Sequence, residues 1–542
     1  MRRPGFVLAL FLAACEPREP TDTILVNGKV VTLDAAGSIA QALAIREGRI
    51  LAVGTTEEIL DRAGSATERI DLGGKTVVPG LADNHYHSIG GGPGVDLSRT
   101  RSLQEVLDAI SARAAETPEG EVIVTNSDWH EGQLTEQRLP YRDELDRATS
   151  RHPVVVVRGG HEYILNSAAL NRWGIAESVK APEGGSVGRY PDGRLNGELV
   201  DTARRPVTLP PRPEVSAEER LKGIADELHR LSEVGLTSIR YASASRAFYR
   251  DLEELEKRGE LPLRVSVLLR FQDEAALENL APDAGDEWVR VAGIKLGVDG
   301  GFEGGLMREP YEEPWGQKGT FYGLQTVPTE PYIELVRALN QKGWRVATHA
   351  VGDAAIDLVL EAYEKANQDR SIVDRRFAIE HGFIPREDHF PRIKALGLHV
   401  TAQDHLYLAA PSLMKYWGDS RARWVTPLRA YIDAGISVSL GTDTPVVPYP
   451  PLWVLYHFIT RDTISAGVMG EDQRVSREEA LRAMTLGGAA LTFEEDLKGT
   501  LEPGKLADLV VLDEDILTCE PERIRDMGIS LTMVGGKIVF RR

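Results

Sequence analysis

Two histidines one residue apart, His85 and His87, close the run Thr76-Val77-Val78-Pro79-Gly80-Leu81-Ala82-Asp83-Asn84. Alternate residues of an extended chain face the same way, so the two imidazoles point together and can grip one cation. Backbone carbonyls satisfy half-buried histidines equally well, so the pair alone leaves both readings open. Three later stretches repeat the pattern of a short apolar run closed by a residue of ligand type. Trp344 to Thr348 ends in His349, Arg376 to Glu380 ends in His381, and Ile436 to Thr442 ends in Asp443. Between these and the first pair, Val291 to Gly297 carries Lys295 where a core residue is expected. Groups scattered in sequence, each at the C-terminal end of a strand, meet in space at the mouth of a (β/α)8 barrel.

The elements that must position these residues alternate between strand and helix. Gly235 to Arg240, Leu263 to Leu269 and Leu398 to Ala402 are further strand-like runs, and with Thr76 to His87 they bring the count to eight. Helical periodicity over Ala217 to Val234 and Thr329 to Lys342 gives the βα order of a parallel sheet. The predicted fold class is therefore α/β, a (β/α)8 TIM barrel spanning residues 76–91 and 216–495. Residues 92–215 exceed one βα repeat and hold their own strands, Glu121 to Thr125 and Pro153 to Val157, so an inserted α/β subdomain is predicted there. Short alternating segments at the two ends, Thr23 to Val31, Ala40 to Arg46, Arg49 to Val53, Ala507 to Leu512 and Leu531 to Phe540, are broken by hairpin-type glycines. Neither end has enough apolar surface for its own core, so residues 21–75 and 496–542 are expected to pair as one composite β-sandwich.

Composition limits the remaining choices. The 542 residues are 42% apolar, with 52 Gly and 30 Pro spread throughout, which excludes a disordered or fibrous chain. A formal charge of −19, from 82 acidic and 63 basic residues, argues against a general nucleic-acid surface. The two cysteines, Cys15 and Cys519, lack the partners of a disulfide framework or a thiolate zinc site. Arg2 and Arg3, the apolar stretch Phe6 to Ala14, and Leu12-Ala13-Ala14-Cys15 read as an export signal ending in a bacterial lipobox. That resemblance implies cleavage before Cys15, a lipid on its sulfur, and residues 1–20 acting as signal and tether at a membrane facing the periplasm or cell exterior.

Taken jointly, Val78-Pro79-Gly80-Leu81-Ala82-Asp83-Asn84-His85-Tyr86-His87, His161 with Asn166-Ser167-Ala168-Ala169-Leu170, Lys295 with Asp299-Gly300, His349-Ala350-Val351-Gly352-Asp353, Ile379-Glu380-His381, Gly441-Thr442-Asp443, and Gly499 with Leu501 to Asp508 carry a specific likeness. The chain resembles the metal-dependent amidohydrolase superfamily, and within it amidohydrolase family 3, the N-substituted formamide deformylase-like group. The resemblance implies one or two divalent ions, zinc foremost, with His85, His87 and Asp443 on one ion, His349 and His381 on a second, and Lys295 bridging as a carbamate. The other reading of Lys295 is a cation paired with Asp299 or Asp443 in a one-metal site. Asp443, placed beside a metal-activated water, is expected to accept its proton and return it to the leaving amine, its other reading being a ligand only; either His161, in the insert, or His405, after the seventh strand, is a candidate to contact the tetrahedral intermediate. Asn84, Tyr86 and Thr442 depart from the residues usual in the family.

The expected reaction is hydrolysis of a non-peptide amide C–N bond in a small molecule, an N-acyl or N-formyl amine or a cyclic amide. Trp129 and Tyr163 are candidates to line an apolar pocket for an aryl or alkyl substituent. Two alternatives stand beside it, the first on the same fold and the second from another class. A deaminase of the superfamily carries His-x-x-Glu after the fifth strand, which His349-Ala350-Val351-Gly352 lacks. A catalytically inactive solute-binding lipoprotein would have no use for a water-activating acid.

Overall fold

The computed structural model describes residues 21–211, 214–271, 277–447 and 449–542. Its centre, among the described residues, is a parallel sheet of eight strands: β1 (Leu81–Tyr86), β2 (Leu236–Ala244), β3 (Arg264–Arg270), β4 (Val289–Gly297), β5 (Val346–Ala350), β6 (Ala378–His381), β7 (His399–Gln403) and β8 (Ser437–Gly441). Neighbours in the sheet follow chain order from β1 to β8. Helices cover the outer face, so the strands are buried on both sides and read as near-continuous apolar runs. The covering helices start where the sequence supplies a cap: Ser216 with Glu219 for Ala217–Glu233, and Ser245 for Arg246–Arg258. The α/β barrel predicted from the sequence is thus present.

The first and last strands meet at a seam built from side chains as well as backbone. Asp443 N donates to His85 O at 2.7 Å, and His87 N to Thr444 O at 3.1 Å. Asn84 Nδ2 bridges to Leu440 O at 2.7 Å and to Ala82 O at 3.2 Å. Asp83 receives Thr442 Oγ1 at 2.6 Å and Thr442 N at 3.0 Å. Gly441 permits this approach, because a Cβ there would lie 2.5 Å from His85 N.

One strand boundary differs from the sequence reading. Thr76–Pro79 leaves the barrel and pairs with Lys29–Val31 and Leu509–Leu512, so the first barrel strand begins only at Leu81. Gly80 stands between the two strands and lets the chain pass close to Thr237, with which any side chain there would collide. The six-stranded sheet so formed joins N- and C-terminal segments and packs on a second sheet of four N-terminal strands. Leu25, Leu43, Ile50, Val77, Leu509 and Met533 share the core between them.

The insert forms a five-stranded sheet from Ile123–Val124, Val154–Arg158, Glu162–Leu165, Gly185–Arg189 and Leu195–Asp201. It is tied to the barrel loops by buried polar contacts, Arg158 Nη1 to Glu303 Oε2 at 3.0 Å and Ser412 Oγ to Glu131 Oε1 at 2.7 Å.

Candidate active site

Each sequence-predicted site residue ends up on the wall of one cavity at the C-terminal face of the barrel. His85, His87, His161, Lys295, His349, His381, His405 and Asp443 all line it, and its volume is about 790 Å3. The strand endings deliver them: β1 brings His85 and His87, β4 Lys295, β5 His349, β6 His381, β7 His405, and β8 Asp443. His161 comes from the insert, three residues beyond the end of the strand Val154–Arg158 and just before the strand Glu162–Leu165.

Asp443 is the hub. Its Oδ1 lies 3.1 Å from His87 Nε2 and 3.4 Å from His85 Nε2, while Oδ2 accepts from His405 Nε2 at 3.0 Å. Two sets of ligand atoms converge closely enough to hold an ion, His85 with His87 and Asp443, and His381 with His405 and Asp443. Lys295 Nζ stands 3.1 Å from His85 Nε2, with neither Asp443 nor Asp299 as its ion-pair partner. His349 is set apart from the expected pairing with His381. Its ring packs 4.5 Å from that of His381, but its Nε2 donates to Gly300 O at 3.1 Å.

The protonation states suit a cation. Burial holds His85 down at about 4, helped by the neighbouring Lys295 charge. Burial likewise keeps His349 and His381 well below the usual imidazole range, so both present neutral rings. Burial pushes the Asp443 carboxyl up, but His85 and the hydrogen bonds from His405 and His87 outweigh it and leave a carboxylate. Burial also lowers the Lys295 amine, which Glu380 and Asp443 only partly oppose. Imidazoles around one carboxylate form the nitrogen and oxygen donor set that zinc and similar divalent ions accept.

A layer behind these residues fixes their orientation. Glu380 holds the Nδ1 side of His85, leaving Nε2 to face Asp443. Gln403 Oε1 accepts from His381 Nδ1 at 2.7 Å, and Asp201 Oδ1 from His161 Nδ1 at 2.6 Å. Ligating histidines characteristically give their other nitrogen to such a partner. Sequence reasoning assigned no role to Glu380, Gln403 or Asp201, although Glu380 and Gln403 are polar residues interrupting apolar strands, which was a usable signal.

Two further expectations have a different outcome. Trp129 packs in the core of the insert and donates Nε1 to Val157 O at 2.8 Å, so it does not line the cavity. Tyr163 lines a smaller neighbouring hollow, under the Arg204 guanidinium. The cavity's apolar wall comes instead from Phe271, Phe302, Phe383, Leu296, Val327 and Val446. A third cluster of ligand-type groups, Asp357, Asp388 and His389, is already engaged by Arg308, which reaches Asp357 at 2.6 Å and Asp388 at 2.8 Å, and by Arg392, 3.3 Å from Asp357.

Comparison with known proteins agrees with this geometry. The amidohydrolase family profile matches residues 68–540. The N-substituted formamide deformylase of Arthrobacter pascens is 28% identical, covering 96% of this chain and 98% of its own. The putative amidohydrolase YtcJ of Bacillus subtilis is 27% identical, over 95% of this chain and 99% of its own. A crystal structure of an uncharacterized metal-dependent hydrolase from Pyrococcus furiosus superposes with a TM-score of 0.65 at 26% identity, covering 92% of this chain and all of that one. Barrel, cavity and relatives agree, and the chain belongs to the amidohydrolase family.

Proposed function

We propose that the protein hydrolyses a non-peptide amide C–N bond in a small molecule, an N-formyl or N-acyl amine or a cyclic amide. The observation that carries this reading is the convergence of imidazoles on the single carboxylate of Asp443 at the cavity wall, with Lys295 against His85 beside them. His85, His87 and Asp443 would hold one divalent ion, and His381 with a second group from His349, His405 or carboxylated Lys295 another; zinc suits this donor set. Such an ion, when bound, polarises a carbonyl and brings the pKa of a water toward neutrality.

The chain's own residues account for the proton traffic. Asp443 accepts a proton as water adds to the carbonyl carbon, and returns it to the nitrogen as the C–N bond breaks, releasing a carboxylic acid and an amine. His405 fixes the Asp443 carboxylate through Oδ2. His161, held by Asp201, stacks 5.3 Å from His349 and is placed to donate to the oxyanion of the tetrahedral intermediate. The Phe and Val wall excludes water and accommodates an aryl or alkyl substituent. His349-Ala350-Val351-Gly352 lacks the acid of a deaminase, which favours amide hydrolysis over ring deamination.

A screen of the zinc- or manganese-loaded mature protein against formamides, acylated D-amino acids and hydantoin-type rings tests the proposal. Turnover of at least one amide is expected, with Asp443→Asn lowering kcat by about a thousandfold or more. Equal activity in that variant sinks the proton shuttle, and ammonia release from an aminated ring would favour the deaminase instead.

We propose further that the enzyme is exported and held to a membrane through a lipid on Cys15, a segment outside the described residues. Among the described residues no helix is long and apolar enough to cross a membrane. Cys15→Ser should move the protein from the membrane fraction to the soluble exported fraction and abolish incorporation of labelled palmitate. Continued membrane association with no label in the parent would discard the anchor.

A further inference from the structure

Beside the main cavity lies a hollow of about 310 Å3, whose walls include Tyr241, Ser243, Ser245, Arg246 and Arg270. Ser243 and Arg270 line both, so the two spaces adjoin at these side chains. Arg270 pairs in register with Lys295 across β3 and β4. Residues opposite one another in a parallel pair leave the sheet on the same face, so Arg270 rises on the side of the barrel where Lys295 stands.

The backbone of β2 is distorted where it meets Arg270. Register between β2 and β3 shifts between Ala242 and Ala244, leaving Ser243 as an extra residue with φ +78°. A serine rarely adopts that conformation, and bulges of this kind re-aim side chains next to active sites. Here Ser243 Oγ accepts from Arg270 Nε at 2.9 Å and fixes the guanidinium by its inner edge. Among the described residues neither Arg270 nor Arg246 has a carboxylate partner, and Arg246 Nη1 is buried without an acceptor. Arg270 is exposed at the end of its strand, whereas the buried Arg158, Arg240 and Arg264 are paired with Glu131 and Glu303, with Glu380 and with Asp508, and the buried Arg461 with backbone carbonyls. Two guanidinium forks around one hollow, with no carboxylate partner among the described residues, are suited to a planar or tetrahedral anion.

We propose that Arg270 and Arg246 form an anion subsite that takes a carboxylate or phosphate carried by the substrate. It rests on the reading of the main cavity as an amide-hydrolase site and narrows the substrate class to acyl amines bearing an anionic group. The anion would anchor one end of the molecule while its amide reaches toward Asp443.

Calorimetric titration of the metal-loaded full chain with 3-phenylpropionate, phenyl phosphate and uncharged 3-phenylpropanol decides the point without turnover. One of the two anions should bind at least about tenfold more tightly than the alcohol, and whichever does identifies the group. Arg270→Met and Arg246→Met should each remove that preference, Arg270→Lys should keep part of it, and Ser243→Ala, which retains both cations, should weaken it. Alcohol binding as tight as either anion, or undiminished anion binding in both methionine variants, overturns the subsite. A second arm compares 4-(formamidomethyl)benzoate with N-benzylformamide. The parent should favour the carboxylate through KM, and Arg270→Met should shrink that ratio. Hydrolysis of both without discrimination removes the subsite alone, whereas failure to cleave any amide while anions still bind removes only the hydrolase reading.

Discussion

The Glu380 carboxylate accepts from Arg240 Nη2 at 2.7 Å and from Thr401 Oγ1 at 2.6 Å, and its contact with His85 Nδ1 sets the tautomer of that ring. Burial raises this carboxyl, but Arg240 and His85 outweigh it and keep it ionised. Glu380→Gln should therefore weaken metal binding about 10- to 100-fold, measured by competition with a chelator and by metal content. Loss of its charge also leaves Arg240 buried and uncompensated, so Tm should fall. The double variant Arg240→Met/Glu380→Gln should recover Tm without recovering metal affinity, and recovery of both would reduce Glu380 to a structural role. The histidines were legible because each closes an apolar run, a position where packing alone asks for no imidazole. Glu380 and Gln403 were harder to assign, since their role depends on which neighbouring strand they face. Asp201 was out of reach, forty residues from His161 and joined to it only by the sheet of the insert.

The β1 and β8 elements meet at Asn84, Asp83, Gly441 and Thr442, and the geometry there ranks the effects of substitution. Asn84→Ala removes the donor to Leu440 O and should cost about 1–3 kcal/mol, read from urea unfolding. Gly441→Ala should be worse, since its Cβ would lie within 2.5 Å of His85 N and push the first ligand strand away. Metal content should then fall in Gly441→Ala and be largely kept in Asn84→Ala; the reverse order would contradict the seam as described. Strand positions were readable because buried parallel strands are short and uniformly apolar. The exception, Thr76–Pro79, is equally apolar, and nothing local distinguishes a strand of the barrel from one of the sandwich. Its partner Leu509–Leu512 lies more than four hundred residues away, and only tertiary packing decides between them.

Across the whole molecule, buried histidines outside the site set an acid limit. Burial holds His130 down at about 4, and His399 and His457 at about 3, against about 6.5 in an unfolded chain. These folded values are depressed, so below pH 6.5 the unfolded chain takes up protons that the folded one refuses. Stability should accordingly fall as pH drops from 6.5 toward 4, by up to about 1.4 kcal/mol per pH unit for each group. Tm followed from pH 7.5 to 4.5 should show this slope, and His399→Leu should flatten it; an unchanged slope in that variant would count against burial as the cause.

The seam also bears on assembly during synthesis. His85 and Asp443 are contributed by the ends of the first and last barrel strands, joined directly by the backbone bond from Asp443 N to His85 O. A growing chain therefore leaves His85 and His87 without the Asp443 carboxylate until just over four-fifths of it has emerged, because closing so long a loop comes late. On the proposed reading, the His85, His87 and Asp443 set is complete only in a finished chain: polypeptides ending before β8 should lack that ion whatever the supply, and its identity would be chosen wherever the finished barrel first meets solution.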